Sequence, residues 1–275
     1  MNTTAMKTTL AFVNQKGGCG KTTTAVNLAG ALAARGERVL LVDMDPQAHA
    51  TLALSAAVAA GETSIAGVLL RAEPIADAVR SAPGGIALIP ATLELAELEE
   101  AAARTLHPER LLARALAGLA ADFDHVLIDC PPRADGVLTA NALRAADVAV
   151  LVVEMGAFAL QGAVKALALF DELAADMGAR FSVRVVGTLY DRRVEFARDL
   201  LVGTQARFTE RLFDTVIHQS ARLREAAASG VPVQVLDPLS RAARDFEALA
   251  EEVLAFQTKA LETSSTNLAA ATALH

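Results

Sequence analysis

A single doubly wound, mainly parallel sheet with helices on both faces, an α/β fold, is predicted by three features of this 275-residue chain. Short apolar runs alternate with segments of helical period along its length, as a parallel sheet covered by helices requires. Several runs are apolar at consecutive positions, which suits strands buried on both sides. A loop rich in Gly and Lys joins the first run directly to a helical segment, the place where such sheets hold phosphate.

Leu10–Val13 reads as the first strand, and the loop after it is Asn14-Gln15-Lys16-Gly17-Gly18-Cys19-Gly20-Lys21-Thr22-Thr23. A helix follows over Lys21–Arg35, with Gly36 as its stop. Strands are then predicted at Val39–Val42, Ile86–Ile89, Val126–Ile128, Val148–Val153 and Val183–Leu189. Helices are predicted at Pro108–Ala121, Gly136–Ala145, Leu160–Met177, Val194–Arg207 and Arg241–Phe256. No Pro/Gly/Ser linker divides this order, so one domain is expected over residues 1–257. Residues 258–275, rich in Ala, Ser and Thr and nearly uncharged, read as a flexible C-terminal tail.

Hydrophobic types make up 53% of the chain while aromatic types make up 4% and Trp is absent, so the core must pack through aliphatic side chains. No apolar run reaches the ~20 residues that span a bilayer, and Met1–Lys7 lacks the pattern of a signal peptide. The expected location is the cytoplasm. Two cysteines, Cys19 and Cys130, are too few for a disulfide framework. A net charge of -7 argues against a uniformly basic surface but leaves room for a local basic patch.

The loop carries the chemistry. Glycines let successive N–H groups face phosphate oxygens, and the helix N-terminus adds partial positive charge. Lys21 is placed to reach the outer phosphates and the Thr22 hydroxyl to ligate Mg²⁺. The common phosphate-loop pattern begins with Gly at the position Gln15 fills, and a second lysine, Lys16, stands beside it. Cys19 has two readings, a thiol made acidic by the helix N-terminus or a small apolar filler, of which the second is expected. Ligands of open α/β sheets bind at the carboxyl ends of strands, where Val42-Asp43-Met44-Asp45 and Ile128-Asp129-Cys130-Pro131-Pro132 fall. Phosphoryl transfer needs a neutralising metal and a group that orients water. Asp43 and Asp129 are assigned to the outer sphere of Mg²⁺, and Asp45 to the water.

Together these residues resemble the ParA/MinD ATPases of the deviant P-loop NTPase fold, and more closely the ParA branch. The motifs are K-G-G-C-G-K-T-T-T-A-V-N-L-A (16–29), L-L-V-D-M-D-P-Q-A-H-A-T (40–51), L-I-D-C-P-P (127–132), L-T-A-N-A-L (138–143), L-Y-D-R-R (189–193) and R-L-R-E-A-A-A-S-G-V-P-V (222–233). They span roughly residues 8–257. The resemblance implies an ATPase that dimerises with ATP, binds DNA non-specifically as the dimer, and hydrolyses ATP slowly until a partner stimulates it. It makes Lys16 the signature lysine that reaches the other subunit's ATP, and residues 16–23 (Lys16, Gly17, Gly18, Cys19, Gly20, Lys21, Thr22 and Thr23) the ATP-binding loop. Lys16, Lys21 and Asp45 become the catalytic group.

By the same likeness Arg193 and Arg222 align with DNA-contacting residues, with Arg192, Arg198 and Arg224 nearby. Implied partners are a second copy of the chain, nucleoid DNA, and a ParB-like or cargo-adaptor protein, with no membrane. Cys19, Arg133, His49 and Leu236 depart from the residues usual in the family, Val152-Val153-Glu154-Met155 lacks a proline frequent near that strand's end, and Ala226-Ala227-Ala228 replaces an E-A-P-S-like stretch. Two other readings share the fold: a MinD-like positioning ATPase, which requires a basic amphipathic helix that residues 258–275 do not supply, and a small-molecule synthetase, which has no use for an ATP-gated DNA surface.

Overall fold

A computed structural model describes residues 8–119, 121–156, 159–178, 181–208 and 211–272. The chain opens with β1 (Thr8–Val13), α1 (Lys21–Ala34) and β2 (Val39–Asp43), followed by α2 (His49–Ala53) and α3 (Ile65–Arg71). Next come β3 (Arg80–Ala82), β4 (Ile86–Ile89), α4 (Glu97–Ala101) and α5 (Leu111–Leu116). The middle of the chain forms β5 (His125–Asp129), α6 (Val137–Ala145), β6 (Val148–Glu154), α7 (Ala159–Asp176) and β7 (Ser182–Tyr190). It closes with α8 (Glu195–Phe208), β8 (Leu212–His218), α9 (Ala221–Ala228), α10 (Val233–Leu236) and α11 (Arg241–Thr272).

All eight strands lie in one sheet of order β3-β4-β2-β5-β1-β6-β7-β8. Every pairing is parallel except β3 with β4. Alternate residues of each central strand feed opposite faces, as a pleated strand must. Leu10 and Phe12 of β1 join α1 and α11 on one face, while Ala11 and Val13 join α6 and α7 on the other. Both faces are covered, which explains why β2 (Val-Leu-Leu-Val-Asp) is buried at every position.

The predicted α/β sheet is observed, with differences at its edges. β3 and β8 were not predicted. β3 is a three-residue edge strand, too short to carry a period. β8 reads Leu-Phe-Asp-Thr-Val-Ile-His, and its polar Asp214 and Thr215 break the apolar run. The helix predicted over Pro108–Ala121 is 3₁₀ at Pro108–Arg110, α over Leu111–Leu116 and 3₁₀ again at Ala117–Leu119. The last helix runs to Thr272, past the Phe256 end predicted for it and through most of the predicted tail. Ala and Leu favour helix and no Gly or Pro interrupts 241–272, so local propensity carries the helix on. Residues 273–275 lie outside the described residues. Among those described, no helix is long and apolar enough to cross a membrane.

Candidate functional site

The carboxyl ends of β2, β5 and β1 are neighbours, and three motifs far apart in sequence meet there. Asp43 and Asp129 are register partners across β2 and β5. The glycine-rich loop leaves β1 beside them and turns into α1. Gly18 (φ 74°) and Gly20 (φ 95°) adopt left-handed backbone that side chains with a Cβ resist. At Gly17 and Gly18 an added Cβ would meet nothing, so these glycines border open space. A cleft of about 640 Å³ opens there, lined by Gly17, Gly18, Gly20, Lys21, Thr22, Thr23 and Asp45. That volume lies in the range of small-molecule and cofactor sites.

Lys21 is buried, and its ammonium donates to the Lys16 carbonyl at 3.3 Å. Lys16 points elsewhere. Its side chain is 63% exposed, pairs with Glu154 at the end of β6, and does not line the cleft. Asn14 sets this geometry: its Nδ2 donates to the Val152 carbonyl at 2.6 Å and its Oδ1 accepts from the Lys16 N–H at 3.0 Å. The Cys19 side chain is fully buried in the core beneath α1. Burial pushes its thiol above the ordinary range, which makes it a filler and leaves only its backbone for the loop.

The three carboxylates differ sharply. Asp43 accepts from the Thr51 N–H at 2.9 Å and the Thr51 hydroxyl at 2.7 Å on Oδ2, and from the Asp45 N–H at 3.1 Å on Oδ1. Most of a carboxylate's roughly four acceptor sites are thus taken inside the protein. Burial pushes its carboxyl up to about 6, with the Thr51 contacts opposing. Asp45 accepts from the Gln47 N–H at 2.9 Å and faces the cleft.

Asp129 is fully buried, and neither of its oxygens has a hydrogen-bond partner. Burial holds its carboxyl well above the usual range, the Asp43 charge adds to this, and the Thr22 hydroxyl and Lys21 offset part. Holding an uncompensated carboxylate there costs several kcal/mol. A cation brought to the cleft removes that cost, so the buried pair fits a metal. No group of three or more His, Cys, Asp or Glu side chains among the described residues could hold a metal ion alone. A metal here would need further oxygen ligands to complete its shell.

Sequence reasoning did not single out Thr51 or Asn27. Thr51 donates to Asp43 and accepts from the Ala91 N–H at 3.0 Å, tying the ends of β2 and β4 together. Asn27 lines the cleft and accepts from the Val233 N–H at 2.8 Å, fixing α1 to α10. Both stand inside quoted motifs, but their partners lie 40 and 206 residues away.

The arginines predicted for DNA divide. Arg192, Arg193 and Arg224 line a shallow pocket of about 400 Å³ together with Arg241, which sequence reasoning did not include. Arg222 is absent from that lining and instead pairs with Glu225 at 2.5 Å and Asp237 at 3.2 Å. The cause is helical geometry: positions two apart on α9 face nearly opposite ways. Arg198 is exposed on α8. Arg193 is held by Asp191, whose Oδ2 lies 2.7 Å from its guanidinium, and this pairing pulls the Asp191 carboxyl down to about 2.

A left-handed glycine loop feeding a helix, beside a buried lysine and a carboxylate waiting for a cation, is how P-loop proteins of the α/β class grip nucleotide phosphates. A family profile described as an AAA domain matches residues 7–183. The chain is 36% identical to the chromosome partitioning protein ParA of Caulobacter vibrioides over 89% of its length and 93% of that protein's. It is also 36% identical to the sporulation initiation inhibitor protein Soj of Bacillus subtilis, covering 90% of this chain and 98% of Soj. A crystal structure of cobyrinic acid a,c-diamide synthase from Mycobacterium smegmatis, with bound ADP and magnesium, superposes with a TM-score of 0.78 at 32% identity, covering 90% and 94% of the two chains. This chain belongs to the ParA/MinD family of P-loop ATPases, in the branch that holds ParA and Soj.

Proposed function

We propose that this protein is a ParA-like ATPase switch, which uses ATP and Mg²⁺ to dimerise, binds DNA without sequence preference, and hydrolyses ATP to partition or position a cargo. The observation that carries this reading is the position of α9. Leu223 and Ala227 wall the nucleotide cleft while Arg224, on the same two turns, enters the arginine pocket. One short helix therefore borders both pockets.

Within the cleft, Lys21 and the loop N–H groups hold the phosphates, and the Thr22 hydroxyl takes a metal position. Bound Mg²⁺ supplies charge neutralisation on the phosphate oxygens. Asp129, whose oxygens have no hydrogen-bond partner, would hold the metal through its water shell. Asp43 holds the loop of Asp45 in place and would offer its remaining acceptor site to the same shell. Asp45 orients the attacking water toward the terminal phosphate. Lys16, exposed and turned away from its own cleft, acts on the nucleotide of the second subunit, which makes dimerisation part of catalysis.

The arginine pocket suits phosphodiester oxygens, and guanidinium groups reading only these give binding that ignores sequence and weakens with salt. A ParB-like or cargo-adaptor protein would stimulate turnover, and nucleoid association would follow from DNA binding. The likeness to the M. smegmatis synthase supports a second reading, amide synthesis on a small molecule. Gel shifts with arbitrary duplex DNA decide between them, using ATP and the hydrolysis-blocked Asp45→Ala variant. Retarded duplex at low salt is expected; no binding in ATP would overturn the switch and favour the synthetase.

A further inference from the structure

The phosphate loop is tied to the arginine pocket by one buried hydroxyl. Thr188 lies near the end of β7, almost fully buried, and its Oγ1 donates to the Cys19 carbonyl at 2.6 Å. The same oxygen lies 3.3 Å from the Val153 carbonyl, a second acceptor open to it if the first moves away. A Cβ placed on Gly20 would lie 3.6 Å from it, so hydroxyl and loop are in direct contact.

Around Thr188 the pairing of β7 with β8 is irregular. Val185 pairs with Leu212, Gly187 with Val216 and Tyr190 with His218, so the register shifts on both sides of Gly187 and β7 carries an extra residue between the last two pairs. Leu189 sits at φ 54°, a left-handed conformation that a bulky side chain avoids. Such a residue persists only where its surroundings hold it, and such sites cluster at switch regions. Next along the chain, Tyr190 packs edge-on against His218 at 5.1 Å, and Asp191 holds Arg193. A cavity of about 210 Å³ lies between the loop and this segment, lined by Gly20, Thr23, Thr188, Leu189, His218 and Arg224. The segment has room to shift.

We propose that Thr188 is a positioning residue that couples the phosphate loop to the arginine pocket: when phosphate seats in the loop and the Cys19 carbonyl moves, Thr188 carries the change through Leu189 to Arg192 and Arg193. The inference rests on the proposed ATP-gated DNA binding, and its test separates the two. Thr188→Val keeps the branched shape and removes the donor; Thr188→Ser keeps the donor.

The experiment measures ATPγS affinity, binding of an arbitrary duplex, and hydrogen exchange of residues 189–193 with and without ATPγS. In the wild type, ATPγS is expected to change exchange in 189–193. In Thr188→Val, nucleotide affinity stays within about threefold, the exchange response disappears and DNA affinity falls roughly tenfold, a common size for coupling between sites. Thr188→Ser restores both. A second variant, Leu189→Gly, relaxes the left-handed residue and should speed exchange at 190–193 and weaken DNA binding with nucleotide affinity intact. Coupling is overturned if Thr188→Val keeps the exchange response, or if it loses nucleotide affinity and so proves a mere strut of the loop. A wild type whose exchange responds while duplex stays unbound leaves the coupling standing and removes the DNA reading.

Discussion

Asp129 shows at the scale of one residue how a site trades stability for function. Its charge is disfavoured by burial, neither oxygen has a hydrogen-bond partner, and the Thr22 hydroxyl and Lys21 offset only part of that effect. Asp129→Asn is therefore expected to raise the Tm of the nucleotide-free protein by roughly 2–4 °C at neutral pH, while Mg²⁺-dependent turnover is lost; calorimetry and phosphate release check the two halves. Asp43 predicts a pH dependence whose sign follows from its folded value of about 6 against an ordinary 3.8. Between those values the folded state binds more protons than the unfolded chain, so stability falls as pH rises through that window. Thermal melts of nucleotide-free protein should show that slope, and Asp43→Asn should flatten it. Lys21 tests the loop itself: Lys21→Ala should weaken ATP binding or turnover by about 10²-fold or more, and isothermal titration with phosphate release would detect unaltered behaviour.

At the scale of elements, α9 distinguishes arginines that the sequence places side by side. Arg224 enters the pocket, while Arg222 is occupied by Glu225 and Asp237 on the other side of the helix. Arg224→Glu should cost more DNA affinity than Arg222→Glu, and Arg241→Glu, at the start of α11, should resemble Arg224→Glu. Fluorescence anisotropy on a fixed duplex ranks them. Equal losses at 222 and 224 would mean that the arginine face extends around the helix. Salt titration adds a count: removing one phosphate contact should reduce the log–log slope by about 1.

For the whole molecule the question is what dimerisation adds. The Lys16 side chain pairs with Glu154 on its own chain, stays largely exposed and lies outside the lining of its own nucleotide cleft. Lys16→Ala should bind ATP as a monomer and turn it over slowly, which multi-angle light scattering and phosphate release would show. A normal ATP-dependent dimer in that variant would remove the trans role. The two sites take different residues of α9: Leu223 and Ala227 wall the cleft, and Arg224 lines the arginine pocket.

The sequence by itself determined the sheet's central strands, the phosphate loop and the strand-end carboxylates. Each rests on a local signal: consecutive apolar residues for β2, β5 and β6, glycines before Lys21, an Asp where an apolar run stops. Contacts across the fold carry no such signal. The tertiary structure decided that Cys19 is core and that Asp43 is largely spent on Thr51. It also left Asp129 unpartnered, moved Arg222 away from Arg224, and brought in Arg241, Asn27 and Thr188. The hydroxyl of Thr188 meets Cys19 across 169 residues of chain, a distance over which neither periodicity nor spacing reports. The end predicted for the last helix at Phe256 was too early, because an Ala- and Leu-rich segment without Gly or Pro continues as helix to Thr272.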